Sequence, residues 1–279
     1  MNFSHTVSGF AGTRLSNALA FAAALLMAGS VATAQSEKRT VFSESDFHWQ
    51  GNLKPGQTLE VVNRNGEIEA NGSSDEGARV QGMRRDEGDD KSLFIEVVES
   101  SDGVIICAVY AKDNTPGRCH HGGVSSESSN WHGHRAKLAF DVQVPRGVRF
   151  NALTTNGGIR CRGLNSVVDA TTTNGNVDVS TSEWASAKTT NGGVNVSMGK
   201  ASWTGELELA TTNGSVAVRL PASAEFEVSA ATTNGGIHTD FPITVQGSFS
   251  SKALSGKVGS AGRYLKVATT NGGIDLRKS

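Results

Sequence analysis

One thiol and four imidazoles fall within 16 residues of this 279-residue chain, as Cys119-His120-His121 and His132-Gly133-His134. Thiolate and imidazole ligate soft or borderline cations. The loop running from Tyr110 to Arg135 is therefore a candidate zinc or copper site built on His120, His121, His132 and His134. The spacing fits no standard zinc module. The competing reading is a solvated Gly/Ser-rich loop in which Cys119 is spent in a disulfide and cannot ligate.

Other chemistry is hard to find. The chain has no nucleophile elbow, phosphate loop or metalloprotease helix motif. A polysaccharide-cleaving site on a β-helix needs clustered carboxylates on adjacent turns. The outward position three residues past each Gly corner is read as Glu67, Arg160, Asp178, Asn195, Ala217, His238, Lys257 and Asp275. Signs alternate along that series and no acid pair is consecutive, which describes a solvated face. The chain is read as a non-enzyme.

The elements that would position such residues are written in a repeat: TTNGGI at 154–159, TTNGNV at 172–177, TTNGGV at 189–194, TTNGSV at 211–216, and TTNGGI at 232–237 and 269–274. The corners are Asn156-Gly157, Asn174-Gly175, Asn191-Gly192, Asn213-Gly214, Asn234-Gly235 and Asn271-Gly272. Two weaker copies are read at Asn65-Gly66 and Ser255-Gly256. Alternation assigns faces: Thr211, Leu209 and Leu207 point inward, and Thr212, Glu208 and Glu206 outward. Each repeat is thus a strand, a corner and a second strand.

Parity allows either a parallel β-solenoid or an antiparallel meander of Asn-Gly hairpins. Near-verbatim repetition favours the solenoid, because stacked corners touch one another and hairpin turns do not. Small inward residues (Ala152, Ala170, Ala187, Ala230) predict a thin core. The expected fold is all-β: a parallel β-solenoid or β-helix with an N-terminal antiparallel β cap region. Residues 1–34 are read as a signal peptide, 35–150 as an N-terminal β region with a hairpin and the His-rich loop, and 151–279 as the solenoid, continuous with 35–150.

The outward threonines Thr155, Thr173, Thr190, Thr212, Thr233 and Thr270 invite comparison with ice-binding solenoids. With Ser255 interrupting the series, ladder stabilisation is the reading taken. Trp184 and Trp203 fall between copies, as cover for a thin core or as contacts for a sugar or protein.

Cys161 takes an inward position, where Val179, Val196 and Val218 sit in other copies. Cys107 and Cys119 are left to pair. A disulfide suits an exported protein. Arg14, the apolar run Leu19 to Met27 and Ala32-Thr33-Ala34 compose a secretory signal peptide with cleavage after Ala34. The protein is expected to be periplasmic or secreted, with no integral membrane segment in its mature chain. A formal net charge of −1 with interspersed signs gives no footprint for nucleic acid.

PGQTLEVVNRNGEIEANG at 55–72 and VPRGVRFNALTTNGGIRCRGLNS at 144–166, followed by further NG repeats, resemble the bacterial "putative adhesin" family of repeated β-strands (domain of unknown function 4097). The resemblance spans roughly 50–279. It implies a parallel β-solenoid at the cell envelope and brings no catalytic residue. The histidine loop departs from the family pattern.

The function expected is an exported, non-catalytic β-repeat scaffold or adhesin-like binding surface of the cell envelope, with an envelope protein or a glycan as partner. A metal-binding or metal-sensing envelope protein using loop 119–134 is the alternative. A β-helix polysaccharide-active enzyme is third. No cofactor is expected apart from the zinc or copper of the alternative.

Overall fold

The computed structural model describes residues 37–43, 46–85, 92–112, 115–125, 136–245, 250–260 and 262–279, all within the unit Gln35–Ser279. Among them there are strands and turns and no helix. Two sheets face each other across one core. The strand before each Asn-Gly corner lies in the first sheet and the strand after it lies in the second, so one repeat makes one rung of a parallel solenoid.

In the first sheet the neighbours run Lys38–Phe42, Leu93–Ser100, Gly103–Lys112, Thr58–Val62, Arg149–Asn156, Val168–Asn174, Ala185–Lys188, Glu206–Ala210, Tyr264–Asn271, Phe226–Asn234, Ala253–Val258 and Thr244–Val245. In the second they run Asp46–Asn52, Gly77–Arg84, Leu138–Pro145, Ile68–Ser73, Ile159–Leu164, Val177–Thr181, Val194–Met198, Val216–Leu220, Ile274–Lys278 and Ile237–Thr239.

Stacking order therefore differs from chain order at both ends. The rung 58–73 sits between a rung made of Gly103–Lys112 with Leu138–Pro145 and the rung 149–164. The last rung, 264–278, inserts between 206–220 and 226–239. Ile274–Lys278 consequently pairs on both sides and is no free edge. Ser255-Gly256, read from sequence as a weak corner, lies inside Ala253–Val258, which turns antiparallel along Phe226–Asn234. Reversed strands lie at both ends of the first sheet and at one end of the second, whose other edge is the short strand Ile237–Thr239. Short or reversed edges resist pairing with another chain.

Each residue of the motif has a place. The first threonine is buried, and its hydroxyl donates to the corner-glycine carbonyl of the neighbouring rung at 2.8–3.2 Å (Thr154 to Gly66, Thr172 to Gly157, Thr189 to Gly175, Thr211 to Gly192, Thr269 to Gly214, Thr232 to Gly272). The asparagines form one ladder in spatial order, 65-156-174-191-213-271-234, each donating Nδ2 to the Oδ1 of the one before at 2.7–2.8 Å. The corner glycine is required by space more than by conformation. A Cβ at Gly157, Gly175, Gly192, Gly214, Gly235 or Gly272 would lie 1.9–2.2 Å from the carbonyl oxygen of the corner glycine next to it.

The ladder makes cost depend on position. Asn191→Ala loses a donated and an accepted bond, whereas Asn234→Ala, at the ladder's end, loses one. At about 0.5–1.5 kcal/mol per net hydrogen bond, the interior change is expected to lower stability about twice as far in urea titrations. Equal shifts would show that the amides contribute independently of the ladder.

The core between the sheets is thin in the middle rungs, with Ala152, Ala170 and Ala187 stacked in register. Larger side chains fill it elsewhere: Phe47, Phe140, Phe150, Phe226 and Trp203 are all buried. Trp203 belongs to the core and offers no sugar platform; its Nε1 donates to the carbonyl of Tyr264 at 3.1 Å. Trp184 is half-buried against the same core. Cys161 is buried among inward residues, where desolvation pushes its thiol up to about 12. Native protein should resist iodoacetamide at neutral pH and react only when denatured; labelling of the folded state would show that this rung opens.

Candidate functional site

The regular coil breaks at the rung 103–145, where the corner is replaced by the segment that carries the histidines. Strands Leu93–Ser100 and Gly103–Lys112 read as continuous apolar runs because both of their faces are covered. Inward residues meet the main core. Outward residues Val98, Cys107 and Val109 join Val62 and Cys119 in a second apolar cluster, flanked by Phe94, Ile105, Val124 and Leu153. A small hairpin, Arg118–His120 paired with Gly123–Ser125, supplies the cover. It turns at His121-Gly122, where Gly122 has φ +80°.

Three attachments fix this hairpin to the sheet. Cys107 and Cys119 are disulfide-bonded, with Cα atoms 5.7 Å apart. Buried Glu96 accepts from the Cys119 amide at 2.7 Å and from Arg39 Nη1 at 3.0 Å, while the same Arg39 nitrogen donates to the Cys119 carbonyl at 3.1 Å. Glu60, 0% exposed, accepts from the Gly122 amide at 2.7 Å and from His121 Nδ1. Asn151 Nδ2 reaches it at 3.4 Å. Removing two carboxylates from water is tolerated only because each finds donors.

Along the same outer face, Glu208 receives Lys188 at 2.5 Å and Lys266 at 2.9 Å from the rungs on either side. Hydrogen bonds from these lysines hold its carboxyl below the ordinary range. The stabilisation is present above the unfolded carboxylate pKa and is lost as pH falls through the depressed value. Asp169 keeps contact with solvent. The atoms crowding it strip water from its carboxylate and lift its pKa, Glu60 adding repulsion against the opposing pull of Lys188 and His121.

Of the four candidate metal ligands, His120 and His121 lie at the hairpin turn; His132 and His134 fall outside the described residues. Cys119 is spent in the disulfide. His120 Nδ1 lies 3.0 Å from the His121 carbonyl oxygen. Among the described residues no group of three or more His, Cys, Asp or Glu side chains is arranged to hold a metal ion.

Among the described residues, four cavities border the rung 58–73. One of about 220 Å³ lies between hairpin and corner, lined by Val62, Arg64, Tyr110, Val124, Leu153 and Thr171. A second, of about 570 Å³, opens at the corner beside Asn65, Glu67, Arg85 and Lys137. Two others, of about 240 and 340 Å³, touch Glu69 and Glu60 respectively. This rung also departs from the motif: Asn63 replaces the inward threonine and donates to the Leu138 carbonyl at 2.6 Å. Arg64 replaces the outward one and lies over the Tyr110 ring at 5.5 Å. Burial lowers the Arg64 pKa, with Tyr110 opposing.

The outward series after the corner needs one correction. In register it reads Glu69, Arg160, Asp178, Asn195, Ala217, Asp275 and His238. Glu69, not Glu67, occupies the position, and it pairs with Arg160 at 2.7 Å. Lys257 belongs to the reversed strand, facing Glu227 at 2.6 Å. Among these seven positions no two acids are adjacent; on the next rung Asp141 stands in register beside Glu69. Sequence reasoning missed Arg39, Glu60, Arg64 and Glu96. The one signal concerned Arg64: the copy at Asn65 reads Asn-Arg-Asn-Gly and not TTNGG.

Among curated proteins none matches this chain. Similar solved structures include a "putative cell adhesion protein" from Clostridium sporogenes, 10% identical with a TM-score of 0.45, the match covering 84% of this chain and 100% of that one. A "putative adhesin" from Bacteroides fragilis is 12% identical with a TM-score of 0.35, covering 84% and 98%. The family model described as Toastrack DUF4097 matches residues 57–277, and this β-repeat chain belongs to that family.

Proposed function

We propose that the protein is an exported, non-catalytic scaffold whose locked outer surface binds a component of the cell envelope, an envelope protein or a glycan. The observation that carries this reading is the hairpin 118–125, held to the coil by a disulfide and two buried carboxylates. A surface loop fixed so firmly is preorganised, so a partner meets little ordering cost. The disulfide also fits an oxidising compartment. A photo-crosslinking residue at His120, activated in intact cells, is expected to capture one discrete envelope component. Even labelling of many bystanders, or retention of the chain in the cytoplasm with its leader uncut, would defeat the reading.

Zinc or copper capture is the second reading, favoured by the ring orientation of His120 and His121. Each Nδ1 faces an oxygen acceptor, a carbonyl for His120 and the Glu60 carboxylate for His121. Each Nε2 lone pair is then left for a metal. Equilibrium dialysis with either metal should show binding that His120→Ala with His121→Ala removes; unchanged uptake by that variant would end this reading.

A further inference from the structure

We propose that the Thr-Asn corner of the coil binds an extended, uncharged polysaccharide. This rests on the reading of the protein as an exported binding surface and names the surface and the ligand class. The fold accounts for three of the four residues in Thr-Thr-Asn-Gly. The first threonine satisfies a glycine carbonyl, the asparagine builds the ladder, and the glycine stands where no Cβ fits.

The second threonine is left over. Thr155, Thr173, Thr190, Thr212, Thr270 and Thr233 are exposed, and their hydroxyls make no hydrogen bond among the described residues. Stacking alone does not demand this residue. Two positions earlier on the same outward face, the same rungs carry Leu153, Thr171, Lys188, Ala210, Ala268 and Ala231 in register. Valine or isoleucine would serve a strand as well as threonine does. The feature kept without a structural use is the hydroxyl.

The order of the rungs points the same way. Because 264–278 inserts ahead of 226–239, and Ala253–Val258 is turned antiparallel outside them, the six threonines occupy consecutive rungs. The interruption at Ser255 inferred from sequence does not exist. Beside each threonine stands an exposed asparagine that donates one N–H to the ladder and holds a second to spare. The result is an uncharged double rank of hydroxyls and amide N–H groups. At about 4.8 Å per rung it is about 24 Å long.

An extended polysaccharide answers such a comb, since it too presents hydroxyls at a fixed interval. A polypeptide strand would seek a sheet edge for its backbone, which the corner does not offer. Tyr110 shares a cavity with Thr155 at one end of the rank; each further rung offers a hydroxyl and an amide N–H and contributes little, so affinity must come from the number of rungs engaged.

The test uses the full mature protein in co-sedimentation with insoluble cellulose, chitin and β-1,3-glucan, all uncharged, and calorimetry with soluble oligosaccharides of increasing length. Binding to at least one polymer is expected, with affinity rising roughly tenfold or more from short to long oligomers. Thr190→Val, Thr212→Val and Thr270→Val together remove three consecutive hydroxyls while keeping β-branched strand formers. That variant should keep the wild-type circular dichroism and unfolding midpoint and lose binding roughly tenfold or more. Serine at the same positions should retain it. Absence of binding to every polymer, or full binding by the valine variant, would overturn the proposal. So would thermal hysteresis in an ice-growth assay without polysaccharide binding. Capture of a protein at His120 with no polysaccharide bound would sink this inference and leave the proposed function standing.

Discussion

Replacing Gly192 by alanine is expected to destabilise the protein by about 3 kcal/mol or more, whereas the same change at its neighbour Gly193 is expected to stay within about 0.5 kcal/mol of wild type. The two residues are adjacent in one motif and identical in side chain. They differ in what surrounds them. A Cβ on Gly192 would stand 2.1 Å from the carbonyl oxygen of Gly175 and 2.5 Å from its carbon. Those atoms are backbone, locked in the rung below through Gly175 N to Asn191 O at 2.9 Å, and they cannot swing aside. Its φ of +152° compounds the strain for an L residue. At Gly193 the nearest atom is the Ser215 carbonyl oxygen at 3.6 Å, ordinary contact.

The chain has already run part of this experiment on itself. The residue after the corner glycine is Gly158, Asn176, Gly193, Ser215, Gly236, Gly273 or Glu67, whereas the corner position is glycine in all seven rungs. Urea unfolding of the two single variants settles the matter. Equal losses would show that neither the close approach nor the φ of +152° sets the first glycine apart from the second.

That contrast shows what the sequence could and could not convey. Positions whose environment is set by neighbours along the strand were legible: alternation assigned Thr211 inward and Thr212 outward, and placing Cys161 in the core left Cys107 and Cys119 to pair. Order was not legible, because every rung carries the same corner and any stacking sequence satisfies the same ladder. What distinguishes rungs is weak and outward, such as Glu208 lying between Lys188 and Lys266, and exposed ion pairs contribute little each. The same degeneracy let Ser255-Gly256 pass for a corner. The hairpin's seat was hidden for another reason. Glu60, Glu96 and Arg39 lie 61, 23 and 80 residues from the hairpin groups they hold, and no local pattern links partners so far apart.

Removal of the Cys107–Cys119 bond by alanine at both positions is expected to cost about 2–3 kcal/mol, the scale of loop-closure entropy for a separation of 12 residues. The loss should be local. The bond closes no path through the coil, and rungs in a solenoid contact only their neighbours, so amides of the rungs from 168 to 220 should keep their exchange protection. The amides at 119 and 122 should exchange faster, since each is held by a single carboxylate, Glu96 or Glu60, and the second apolar cluster loses its two sulfurs. Those carboxylates then become the decisive part of the design. A hairpin that lifts leaves Glu60 and Glu96 without their amide donors, which adds a solvation drive to the chain-entropy term and moves both in the same direction. Glu96→Gln in the bond-free protein should therefore release the hairpin further, read as proteolytic cleavage between 117 and 125. Unchanged protection at 119 and 122 in the bond-free protein would show that the two glutamates suffice and that the disulfide guards only the unfolded chain.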